Sequence, residues 1–288
     1  MKKLGTFLSL ALSIFLIIGG SAQVLSHSLK PSSEVVLRSQ VEWSPLNPAR
    51  GDASPQAGNL WGDRTKSGAT GFLVKFVDGF SSPPHIHNVT YRGVAIDGLI
   101  HNDDPDAEKM WMPEGSFWTQ PAGEAHITAA MGNSNMAYIE IDSGPYLVNP
   151  ADEAFDNGEK PINVDPSNIV WLDASNLNSS DLSKNIGSSV QPQVAFLWGD
   201  PQDREPYGAF IKLPAGFKGE IRNYSSTFRA VVVRGQPQLL RGAKADNLEP
   251  GSYFGSMRSS VHQIGSQTTE SVLYVRTRGK FDVMTTQN

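Results

Sequence analysis

His85 and His87 stand one residue apart in "SSPPHIHNVTYRG", and His126 follows in "QPAGEAHIT". In an extended chain, residues i and i+2 point to the same side, so a strand through Pro84–Asn88 would present both imidazoles to one interior. A third imidazole, arriving from a strand after the Pro-x-Gly turn at Pro121–Gly123, would complete a set of three neutral nitrogen donors. Such a set, with coordination positions left open, suits one divalent ion such as Fe, Mn, Zn or Cu, acting as a Lewis acid or a redox centre. The plainer alternative is two loop histidines and one core histidine.

The elements that must position these residues are strands. "GFLVKFV", "VTYRGVAIDGLI", "AYIEID", "AFIKL", "FRAVVVRG" and "SVLYVRT" are short, partly alternating, and rich in β-branched and aromatic residues. With 27 Gly and 19 Pro, turns punctuate them at short intervals, and with only 18% charged residues no long charged helix is expected. Many short strands predict an all-β sandwich or barrel.

The chain also repeats itself. "NLWGD" ends at Asp63 and "FLWGD" at Asp200, an offset of 137 residues. At that offset Tyr91-Arg92 falls on Phe228-Arg229 and Gly98 on Gly235; at 136, Phe117 falls on Tyr253, His126 on His262 and Tyr138 on Tyr274. Val41-Glu42-Trp43 and Ile169-Val170-Trp171 open the two copies. The expected layout is a first domain over 34–155, a linker over 156–165 rich in Asn, Asp, Pro and Gly, and a second domain over 166–284.

The spacing carries a resemblance. Gly79, five residues, His85, one residue, His87, three residues, Tyr91, six residues, Gly98 is followed by Gly115, five residues, Pro121, one residue, Gly123, two residues, His126. These segments resemble the paired motifs of the cupin superfamily, and the duplication resembles a bicupin. The nearest flavour is the cupin-like family related to the cupin domain of ChrR-type anti-sigma factors. The resemblance implies two tandem cupin-type barrels (double-stranded β-helices, or RmlC-like jelly rolls) and one metal site on His85, His87 and His126. Tyr91 replaces the usual glutamate ligand, so the site becomes three-His, as in cupins that perform dioxygen chemistry. Tyr91 is then a candidate for positioning or protonating a substrate. Ala130 replaces the usual final Asn.

Phe117 and Trp118 are candidates to line a substrate pocket, and Glu140 could add a carboxylate there or face solvent. Trp111 is a candidate for the same pocket or for the core. In the second copy Arg222, Tyr224 and Phe228 fall on His85, His87 and Tyr91, and only His262 remains. An arginine stays protonated and repels a cation. The second copy is therefore read as a structural domain, or, with Arg222, Tyr224 and His262, as a pocket for a small anion. His101 reads as an exposed turn residue.

The N-terminus "MKKLGTFLSLALSIFLIIGGSAQ" has two lysines, an apolar run and small residues before Gln23, the pattern of a signal peptide over 1–22. It predicts export to the periplasm or the extracellular space, with no stable membrane insertion after cleavage; the alternative is an uncleaved anchor. A net charge of −5 argues against nucleic acid as a partner. The expected partner is a small organic molecule, and the cupin resemblance makes a homodimer plausible. Two functions stay open: a metal enzyme, with an oxygenase favoured over an isomerase or hydrolase, and a non-catalytic ligand-binding or sensor protein.

Overall fold

The computed structural model describes residues 33–177, 191–266 and 268–286; the leader and His27 lie outside them. Two seven-stranded sheets dominate. The first has the order Ile162–Val164, Phe117–Gln120, Tyr91–Asp103, Ile127–Ile141, Thr70–Phe76, Gln56–Trp61, Ser44–Pro45. The second has the order Ser33–Val36, Tyr253–Ser256, Phe228–Arg234, Ser271–Thr277, Tyr207–Leu213, Gln193–Trp198, Leu172–Asp173. Read strand by strand, the two orders are the same, so the sequence duplication is a structural one.

The outermost strand of each sheet comes from the other half of the chain. Val36 lies opposite Tyr253, and Val164 lies opposite Phe117. Both ladders are antiparallel, and each leading strand caps an edge that would otherwise expose unpaired backbone groups. Two boundaries read from the sequence therefore change. Ser33–Val36 belongs to the second barrel, and the 156–165 stretch is not only a linker, because Ile162–Val164 is a strand of the first sheet.

Each sheet is closed over by a second layer. In the second barrel it is a five-stranded sheet that includes Phe217–Asn223, Ser260–Ser266 and Phe281–Thr285. In the first, the strands Tyr91–Asp103 and Ile127–Ile141 bend and continue into it, pairing Leu99–Asp103 with Ile127–Met131. Gly98, at φ 73°, makes the bend, and a Cβ there would lie 2.2 Å from Asn135 Oδ1. The short ladder of His85–His87 with Val148–Pro150 completes the layer.

Alternation along the strands sorts the side chains. Tyr91, Ala95, Trp118 and Ile139 enter the first barrel's interior. Val94, Ile96, Phe117 and Tyr138 face the opposite way, against Phe210, Val231, Tyr253 and Tyr274 of the second barrel. Phe117 is thus a residue between the barrels, not a pocket residue.

Polar groups in that layer follow a near-twofold pattern. Trp61 Nε1–H donates to Tyr138 Oη at 3.0 Å, and Trp198 Nε1–H donates to Tyr274 Oη at 2.8 Å. The Arg229 guanidinium lies 4.0 Å from the Trp61 ring centre, and that of Arg92 lies 3.6 Å from Trp198. Symmetry breaks in the charges: Glu140 and Arg276, equivalent at the 136-residue offset, carry opposite charges and pair at 3.1 Å. Glu140 also accepts from Tyr138 and Tyr274 at 3.0 and 2.8 Å. It is fully buried, so it neither faces solvent nor supplies a carboxylate to the metal site.

Candidate metal centre

His85 and His126 form a mutual bridge, each backbone N–H donating to the other's carbonyl at 3.0 Å. With His87 two residues along the same strand, the three side chains converge. One ring nitrogen from each lies within 4.8 Å of the others, and all three residues are buried.

Backbone carbonyls fix which nitrogen each ring offers. The Nδ1 atoms of His85, His87 and His126 lie 2.9, 2.8 and 3.1 Å from the carbonyl oxygens of Pro83, Leu147 and Glu124. A carbonyl only accepts, so each Nδ1 carries the proton and each Nε2 keeps its lone pair. This outer anchoring orients imidazoles for a metal. Burial pushes all three imidazoles below the usual histidine range, His87 furthest and His126 to about 3, which keeps them neutral and able to ligate. Residues and donor set fit one borderline divalent ion.

Two phenols border the cluster. Tyr91 Oη donates to Asn102 Oδ1 at 2.7 Å and lies 3.4 Å from His126 Nε2. A phenol has one proton, and the shorter contact takes it, leaving the His126 lone pair free. Thr128 Oγ1 also donates to Asn102 Oδ1, while Asn102 Nδ2 donates to Gln120. This buried network holds Tyr91, and burial raises the Tyr91 pKa well above the usual phenol value. Tyr91 is therefore a neutral hydroxyl beside the site, not an anionic ligand. Tyr146 stacks on His87 at 4.4 Å and its hydroxyl reaches His87 Nε2 at 3.1 Å. The sequence reading missed Tyr146, because it sits in a turn after the second motif and its approach depends on the fold. The "GPY" turn signal was the only hint.

A cavity of about 110 Å³ opens beside His85 and His87. Its walls include Leu46, Val74, Phe76, Phe80, Ile139 and Trp118. Trp118 lies across Gly93, where a Cβ would come 2.1 Å from the indole, so only glycine admits the ring.

Other candidates fall elsewhere. His101 is fully buried, with Nδ1 3.2 Å from the Met110 carbonyl and its ring beside Trp111, rather than an exposed turn residue. In the second barrel, His262 lies opposite Ile221, as His126 lies opposite His85. The true counterparts of His85 and His87 are thus Ile221 and Asn223, one residue away from the sequence alignment. Arg222 and Tyr224 lie on the outer face, where Arg222 pairs with Glu220 and Tyr224 with Asp282. His262 points inward and stacks on Phe228. The anion pocket does not assemble, because adjacent strand positions face opposite ways.

A family model for a domain of unknown function, DUF4437, matches residues 34–284. The chain belongs to the DUF4437 family. Among solved structures, this DUF4437 chain is similar to a candidate dioxygenase from Nostoc punctiforme PCC 73102, with a TM-score of 0.64 and 15% identity over 89% of this chain and 87% of that one. It is also similar to salicylate 1,2-dioxygenase from Pseudaminobacter salicylatoxidans, with a TM-score of 0.57 and 12% identity over 92% and 91% of the two chains. A structure of the salicylate dioxygenase with gentisate adducts gives a TM-score of 0.55 and 13% identity over 88% and 85%. At these identities the likenesses show a shared fold alone, and nothing in them bears on the nearer likeness to ChrR-type cupins. Comparison with curated proteins finds no match.

Proposed function

We propose that this DUF4437 chain is a metal-dependent oxygenase acting on a small organic molecule, exported after removal of its leader. The observation that carries the reading is the set of three neutral Nε2 lone pairs beside an apolar cavity that no carboxylate lines. A bound iron or similar ion would supply Lewis-acid or redox chemistry there. The protein's own groups would do the rest. Apolar walls exclude water, Tyr91 offers a hydroxyl fixed by Asn102, and Tyr146 offers a second hydroxyl at the cluster's rim. The dioxygenase activity named for two fold neighbours agrees with this reading by analogy. So does the gentisate held by one of them. The hydrophobic leader supports export.

The test is oxygen uptake by iron-loaded protein across a panel of small organic substrates, with His87→Ala as control. Consumption dependent on substrate and lost in the variant supports an oxygenase. Metal bound at the site with no turnover on any substrate would favour a binding or sensor role.

A further inference from the structure

The cavity beside the histidines contains one formal charge. Among its lining residues Arg50 is the only ionisable side chain apart from the histidines and tyrosines, and no Asp or Glu joins it. Arg50 is half-buried, and its guanidinium lies 5.5 Å from the Phe80 ring centre. Among the described residues no carboxylate forms an ion pair with it, although Asp52 is two residues on. A braced turn holds the residue. Asn47 accepts from Ala49 N at 3.1 Å, Ser54 Oγ accepts from Asn47 N at 2.9 Å, and Arg50 N–H donates to Asn47 O at 3.1 Å. A second donor makes no well-formed hydrogen bond: Trp118 lines the same cavity, is 1% exposed, and among the described residues its buried Nε1–H has only a contact with the Tyr91 hydroxyl. Unpaired buried donors carry a desolvation cost that an incoming acceptor removes.

Charge balance points the same way. Three neutral imidazoles would leave a divalent ion uncompensated, and Arg50 adds to that positive field. A guanidinium on an apolar wall is suited to a planar oxyanion.

We propose that the cavity selects a compact apolar carboxylate, with its anionic group on Arg50 and its hydrocarbon body against Phe80 and Ile139 beside the three histidines. The volume of about 110 Å³ is below the roughly 150 Å³ of an apolar cavity able to hold benzene. The body is thus smaller than a benzene ring, a short branched chain, with the carboxylate reaching the half-exposed arginine. This inference rests on the metal reading only for the added positive field; Arg50 and the apolar walls stand without it.

The test compares isobutyrate with its neutral isostere isobutyramide by calorimetry, on wild type, Arg50→Gln and Arg50→Lys. A preference for isobutyrate of at least about tenfold in wild type, abolished by Arg50→Gln and partly kept by Arg50→Lys, is the expected result. Equal binding of the two probes in wild type, or a preference that survives Arg50→Gln in a folded variant, overturns the assignment. The same titration on the His85/His87/His126 triple-alanine variant separates this inference from the metal reading. A preference for isobutyrate retained in that variant supports the Arg50 site; retained in a wild type that holds no metal, it sinks only the oxygenase proposal.

Discussion

Glu140 and Arg276 occupy equivalent positions in the two copies of the repeat, yet they carry opposite charges and meet at 3.1 Å between the barrels. An exact duplicate would place two like charges there. Arg276 also reaches Asp142 at 2.5 Å. Burial of a charge is tolerated only while its partner is present, so Arg276→Met should destabilise the protein by about 3–5 kcal/mol. The double variant Glu140→Leu/Arg276→Met should recover much of that loss. Urea unfolding of wild type and the two variants measures it; a double variant no more stable than Arg276→Met would contradict this.

The exchanged edge strands predict that neither half is self-sufficient. A fragment over 34–155 lacks Ile162–Val164 and exposes Val94, Ile96 and Tyr138 of the inter-barrel layer. Expressed alone it should aggregate, while coexpression with 156–286 should yield a soluble complex. Soluble, monomeric 34–155 would count against the interlock.

Asn102 holds the Tyr91 proton away from His126. Replacing Asn102 with Leu should turn that hydroxyl onto the His126 Nε2 lone pair and weaken metal binding by about 10–100-fold, as loss of outer-shell partners does. Adding Tyr91→Phe should restore part of the affinity. Competition with a chelating dye reads both; unchanged affinity in Asn102→Leu would rule out this role.

Acid should destabilise the second barrel through His262. Burial lowers this imidazole to about 4 from the ordinary histidine value of 6.5, so between those pH values the unfolded chain binds the extra proton. Stability is therefore complete above about pH 6.5 and falls as pH drops toward 4, by on the order of 3 kcal/mol for this one group. His85, His87 and His126 act in the same direction in metal-free protein. The diagnostic is the difference: His262→Gln should flatten the urea-midpoint profile over that window relative to wild type, and an identical profile would refute it.

Much of this was legible in the sequence for physical reasons. Strand alternation exposed the β class, and the fixed spacing around His85, His87 and His126 marked residues that now lie within ligand distance. Trp118 stood out because it flanks the second motif, and it lines the cavity. What stayed hidden depends on pairing between distant segments. The sign of a strand's two faces is invisible when both are buried, which is why the sequence makes Phe117 a pocket candidate and Glu140 a pocket or solvent-facing one, although both face the second barrel. A one-residue slip in the ladder moved Arg222 outward and put Ile221 in its place. Tyr146 and Arg50 reach the site from turns, and no local pattern announces such an approach.

The central claim is that His85, His87 and His126 hold one metal ion. Metal analysis of the mature protein, purified without chelators or affinity nickel, tests it against the triple-alanine variant and His262→Ala. The account predicts about one equivalent of redox-active metal per chain in wild type and in His262→Ala, and none in the triple variant. Metal retained by the triple variant, or none bound by wild type even after loading, would contradict it.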